Sequence, residues 1–166
     1  AIAEATDIIG DEFVWEAFTD TAPDGLDLRI VNGPNEDWDW EHVDSFGACS
    51  AEPTAAGIRD CRMLMEQTDA HEYLMIVITD GMATVDENGN YCGRHSNVPV
   101  EHAREAVRET REAGIDVMGI GIGSMSDRKM RETFGQGNFQ LTDIHDLAEH
   151  ILGLYAEQMN VDRGGF

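Results

Sequence analysis

Tyr73-Leu-Met-Ile-Val-Ile-Thr-Asp-Gly81 is a run of apolar, largely β-branched residues that stops at an acidic turn. Flanked by helical patterns, such a run reads as a strand buried on both faces of a parallel sheet. In open α/β sheets, ligands sit at the carboxyl ends of the strands. Asp80 therefore stands where such a fold puts its chemistry. A hard carboxylate there suits Mg²⁺, Mn²⁺ or Ca²⁺ better than zinc. The plainer reading is a turn aspartate that caps the next loop.

Outward from this strand, helical and strand patterns alternate. Upstream, Pro53 to Gln67 has helical periodicity, with Ala55, Ile58, Cys61 and Met65 on one side and Pro53 at the first turn. Before it, Phe13 to Phe18 reads as a short strand, and Leu26 to Val31 alternates as a half-exposed strand should. Residues Ala1 to about Asp11 read as the end of a helix, and Asn32 to Trp40 as an acidic loop with two tryptophans. Downstream, Met82 to Val98 is a long loop. Pro99 to Ala113 is a charged amphipathic helix closed by Gly114. Ile115 to Gly121 is a second buried strand, Ser126 to Phe134 a short helix, Asn138 to Leu141 a short strand and Ile144 to Met159 the last helix. This order predicts an α/β fold: a doubly wound, mostly parallel sheet flanked by helices, Rossmann-like. The expected organisation is one domain over residues 1–160 and a loose tail over 161–166.

The 166 residues suffice for one domain with a real core, and 42% hydrophobic content places the chain among globular proteins. No apolar stretch approaches the ~18–20 residues of a membrane span. The acidic start, Ala1 to Asp7, has no basic signal-peptide region. The charge balance is lopsided: 33 acidic residues against 11 basic, a net charge of −22. Lys129 is the single lysine. Nucleic acid and anionic membranes demand the opposite sign and are not expected partners. Self-repulsion of this size destabilises a compact state until salt screens it. Dispersed acid with almost no lysine resembles the proteome of an extreme halophile; the competing reading is recruitment of a basic partner. Cys49, Cys61 and Cys92 lack C-x-x-C spacing, and an odd count cannot close a full disulfide set. A reducing cytoplasm is the expected compartment.

Three segments together resemble a family. Ile-Val-Ile-Thr-Asp80-Gly, Ala-Gly-Ile-Asp-Val-Met-Gly-Ile-Gly-Ile-Gly123 and Phe-Gln-Leu-Thr-Asp143 look like the von Willebrand factor type A domain, over nearly the whole chain. The loop Asp86 to Tyr91 and its distance to the Pro99 helix resemble the intracellular type A domains of the cobalt-chelatase accessory subunit and of nitric-oxide-reductase activation proteins. The resemblance implies a non-enzymatic, protein-binding module beside an AAA+ ATPase. It also implies a metal-ion-dependent adhesion site built from three loops. Asp80 matches the third loop. The second supplies a threonine six residues before an apolar helix position, and counting back from Ile58 lands on Glu52. Either Glu52 replaces the threonine, or the loop slips so that Thr54 serves. A plainer reading makes Glu52 a first-turn helix acid favoured by the macrodipole. The first loop, Asp-x-Ser-x-Ser on a central strand, is absent from these 166 residues. It is expected ~10–20 residues, about one helix length, before Ala1.

Other motifs fall short of chemistry. Asp86-x-Asn88-x-Asn90 misplaces the glycine of a calcium loop and lacks its glutamate, so a solvated turn is expected. Gly119-x-Gly121-x-Gly123 lacks the Lys-Ser/Thr of a phosphate loop, and close packing accounts for it better. The six histidines form no His-x-x-x-His pair, which argues against zinc. Trp38 and Trp40 are read as partner anchors or as sheet-edge core. Two further functions stay open: a non-catalytic subunit of an ATP-dependent cobalt or magnesium chelatase, and an extracellular adhesion domain.

Overall fold

The structure is a computed structural model that describes residues 15–21, 25–32, 52–80, 83–86, 88, 90–93, 96–123 and 125–163. Two sheets are present among them. Strands β1 (Trp15–Thr21) and β2 (Gly25–Asn32) form an antiparallel hairpin. Strands β3 (Leu74–Thr79), β4 (Asp116–Ile122) and β5 (Phe139–Thr142) form a parallel sheet in the order β3-β4-β5. Helix α1 (Thr54–Met65) precedes β3, α2 (Val98–Glu112) joins β3 to β4, α3 (Asp127–Phe134) joins β4 to β5, and α4 (Leu147–Arg163) follows β5. No ladder joins the two sheets among the described residues. The expected helix near the amino terminus, Trp38 and Trp40 lie outside the described residues.

The run that decided the fold behaves as its composition demands. Successive side chains of a strand point to opposite faces, and both faces of β3 meet apolar partners. Met75 and Val77, with Val117 of β4, pack under α1, α2 and α3 against Ile58, Ala103, Ala106, Val107, Met130 and Phe134. Ile76 and Ile78, with Met118, Ile120 and Ile122, pack on Leu147, Ile151 and Leu154 of α4. Helices therefore cover both faces of the parallel sheet, the doubly wound arrangement expected from the sequence.

The glycines of β4 serve close packing. A Cβ at Gly119 would lie 2.5 Å from Cδ2 of Phe134, and one at Gly121 would lie 2.7 Å from Leu141 and 2.8 Å from Met125. Gly123 takes φ of 68° to turn the chain out of the strand, a conformation that suits glycine. The last helix begins at Leu147, later than expected. Asp143 Oδ1 accepts the His145 N–H at 3.0 Å, and this Asx turn holds 143–146 outside the helix. Ile144 is left exposed. At the other end α4 runs to Arg163, into the stretch read from the sequence as tail.

Helices α1 and α2 are joined by an ion pair across their surface. Arg59 Nε and Nη2 donate to Glu109 Oε2 and Oε1 at 2.9 and 3.2 Å, with both side chains about a quarter to a third exposed. The Arg59 hydrogen bond holds the Glu109 carboxyl below its ordinary value of 4.5, against the opposing pull of burial. A lowered folded-state pKa stabilises above the unfolded value, and the contribution is lost as pH falls through the folded one. Glu109→Gln is therefore expected to cost about 0.5–1 kcal/mol near neutrality. That gap should close as pH falls below the carboxylate range, as read by urea denaturation of both proteins. A gap that persists in acid would show that the pair contributes through packing alone.

Candidate functional site

The site lies at the carboxyl end of β3, where the sheet delivers Thr79 and Asp80 to the surface. Thr79 points inward and is buried, and Asp80, one residue on, is exposed. The Thr79 hydroxyl donates to Glu52 Oε1, a contact 27 residues apart in sequence. Glu52 also holds the chain that leaves Asp80. It forms a parallel bridge with Ala83; its N–H donates to Thr84 Oγ1 at 3.1 Å, and its carbonyl accepts the Thr84 N–H at 3.2 Å. Glu52 is thus fastened one residue before Asp80 and, through Ala83 and Thr84, three and four residues after it.

Thr54 stands on the same wall. It is the first residue of α1, only 3% exposed, and its hydroxyl has no hydrogen-bond partner among the described residues. An orphaned buried hydroxyl is costly, since its water partners are lost without replacement. Thr54 and Thr79 line a cavity of about 20 Å³ together with Ala83, Met125, Lys129 and Thr133. That volume accommodates one water or one small ion.

The three residues singled out from the sequence are therefore gathered at one end of β3. The alternatives left open for Glu52 and Thr54 do not exclude each other. Glu52 precedes the helix cap Pro53, so it is not a first-turn acid; α1 has no acidic residue in its first turn. Sequence reasoning missed Thr79, Thr84 and Lys129. The β-strand period marks Thr79 as inward-facing and could have found it. Nothing local marks Thr84, bonded to Glu52 32 residues away, or Lys129, which lines the cavity.

The groups at this end, two carboxylates and the Thr54 and Thr79 hydroxyls, are oxygen donors of the type that hard cations take. Among the described residues no group of three or more His, Cys, Asp or Glu converges, here or elsewhere.

The loop that follows is organised by itself. Val85 and Tyr91 form an antiparallel bridge. Asp86 Oδ1 accepts the N–H groups of Asn88 at 2.9 Å and Asn90 at 2.8 Å. These bonds, Asn90 foremost, hold the Asp86 carboxyl below the usual range. With its carboxylate already engaged by its own loop, this is a capped turn, as the failed calcium-loop pattern suggested.

No protein-family profile and no curated protein matches the chain. Solved structures do share its fold. The conserved hypothetical protein BatB from Bacteroides thetaiotaomicron superposes with a TM-score of 0.60 at 16% identity, over 96% of this chain and 88% of that one. The pilus adhesin SpaC from Lactobacillus rhamnosus GG gives 0.54 at 14% identity, over 87% of this chain and 24% of that one. At such identities the likeness concerns the fold alone. No helix among the described residues is long and apolar enough to cross a membrane.

Proposed function

We propose that this chain is a protein-binding module of the von Willebrand factor type A kind, which holds a divalent cation through Asp80, Glu52 and Thr54. The observation that carries the reading is the buried, unpartnered Thr54 hydroxyl, set in one cavity wall with Thr79, whose own hydroxyl is bonded to Glu52. A cation of the Mg²⁺ or Mn²⁺ class accounts for that hydroxyl and for two carboxylates at one strand end. Bound there, it would supply an electrophilic centre for a carboxylate of a partner protein. The chain's residues would do the rest: Glu52, just before α1, Thr54, at its first position, and Asp80, at the end of β3, would hold the ion, and the bonds between Glu52 and Thr84 fix Glu52 in place.

The proposed partner is an AAA+ ATPase and the proposed setting the cytoplasm, both resting on the sequence resemblance. The adhesion alternative has one observation in its favour, the fold shared with a pilus adhesin. Association of the purified protein with an AAA+ ATPase from the same cell favours the first, and its recovery on the cell surface the second.

The first test is stabilisation by mass action. About 5 mM Mn²⁺, ten times a Kd of roughly 0.5 mM, should raise stability by about 1.4 kcal/mol. That is a rise of roughly 3–6 °C in the unfolding midpoint. Asp80→Ala should keep the fold and lose the response, and Glu52→Gln and Thr54→Val should weaken it. The ionic strength is held constant by KCl, so that screening contributes equally throughout. Equal responses in wild type and Asp80→Ala would sink the cation site and leave Asp80 a turn residue.

A further inference from the structure

The surface between α2 and α3 departs in charge from the rest of the chain. An open groove of about 640 Å³ runs there, within the size range of ligand clefts. Four arginines border it, Arg104, Arg108, Arg111 and Arg131, against two glutamates, Glu112 and Glu132, which leaves +2 on a chain of net charge −22. Both glutamates are already paired, Glu112 with Arg108 and Glu132 with Arg128. Of the seven arginines on α1, α2 and α3, five pair with carboxylates: Arg59, Arg62, Arg108, Arg128 and Arg131. Arg104 and Arg111 have no such partner among the described residues, and both line this groove. Arg111 is partly buried, and its Nη2 donates to the Val117 carbonyl at 2.7 Å. Burial holds its pKa below the ordinary guanidinium value, with the charge of Asp116 as a partial offset. Arg104 is exposed. With 33 acidic residues against 11 basic, carboxylates are not scarce, yet the two arginines without one share a single groove.

We infer that the α2–α3 groove docks an acidic segment of a partner protein, whose carboxylates are taken by Arg104 and Arg111. The two arginines stand seven residues apart on α2, two turns or about 10 Å along its axis. An extended peptide rises about 3.3 Å per residue, so carboxylates two to four residues apart reach both guanidiniums, whereas a lone phosphate has no such length. A guanidinium presents its donors as a planar fork that matches a carboxylate with two bonds. The acidic remainder of the surface repels such a segment and confines it to the groove. The groove shares only Thr133 and Phe134 with the cavity at the candidate site. Helices α2 and α3 carry the chain back from the carboxyl to the amino ends of the parallel strands. Arg111, in the last turn of α2, and Gly135, which ends α3, therefore lie toward the end of the sheet opposite Asp80. This docking surface is separate from the proposed cation site and does not depend on it.

The test is fluorescence anisotropy of a short fluorescein-labelled Glu-Ala repeat peptide titrated with the protein. It is run in about 1 M KCl, where long-range repulsion is screened within ~3 Å, and with EDTA, so that no divalent ion contributes. One peptide per chain is expected to bind. Arg104→Gln should weaken it roughly fivefold and leave the unfolding midpoint in place, since the side chain is exposed. Arg62→Gln removes the same charge from α1, outside the groove, and should weaken binding less than about twofold. No binding to wild type, or equal losses in the two variants, would overturn the groove as the docking site. Displacement by inorganic phosphate as effective as by unlabelled peptide would make it a single-anion site and overturn the peptide. A dimer in sedimentation equilibrium that dissociates in Arg104→Gln would make the occupant a second copy of this chain and overturn the partner.

Discussion

Phe134→Ala should cost the fold about 3–5 kcal/mol, a large part of the ~5–15 kcal/mol that holds a typical domain together. Phe134 is 1% exposed and ends α3 with its ring against β4, where Gly119 leaves room for it. The reciprocal change, Gly119→Ala, should cost about 1–3 kcal/mol by overpacking, since the new Cβ would meet the ring at 2.5 Å. The two changes should not add. With the ring removed, the alanine methyl occupies part of the vacated space, so the double variant should be more stable than the sum of single costs predicts. Urea denaturation of the four proteins measures this. Strict additivity would mean that the ring and the glycine do not share this space.

Raising KCl from about 0.1 M to about 3 M, which takes screening from partial to nearly complete, should raise the unfolding midpoint on the order of 10 °C, equivalent to roughly 3 kcal/mol. The cause is the net charge of −22, whose self-repulsion the compact state concentrates. The charge is unevenly placed. Helices α1, α2 and α3 carry eight of the 11 basic residues and seven of the 33 acidic ones. Their net charge is +1, against −23 for the rest of the chain. Low salt should therefore open the chain first outside these helices, as read by hydrogen exchange. A midpoint that stays flat or falls with salt would refute the halophilic reading and revive recruitment of a basic partner.

How far the sequence disclosed this arrangement depended on the range of the forces involved. The β3 run and the amphipathic α2 were legible because burial imposes a period of two or 3.6 residues on neighbouring positions. The Gly119 spacing was legible as packing, though not its partner Phe134, since that contact forms only after α3 folds back on β4. The start of α4 was misplaced: the apolar Ile144 suggested helix, whereas the Asp143 carboxylate captures the next turn. At the site, Asp80 could be read from its place after the strand. The standing of Glu52 could not, because it is fixed by Thr79 and Thr84, 27 and 32 residues away.

The central claim is that Asp80, Glu52 and Thr54 hold a divalent cation. Electron paramagnetic resonance of Mn²⁺ addresses it without relying on stability. The free-ion signal is followed as wild type, Asp80→Ala and Thr54→Val are titrated at millimolar concentration in about 2 M KCl, where the diffuse pull of surface acid is screened within ~3 Å. One saturable Mn²⁺ per wild-type chain is expected, lost in Asp80→Ala, weakened in Thr54→Val and competed by Mg²⁺. Identical titrations for all three proteins would contradict it.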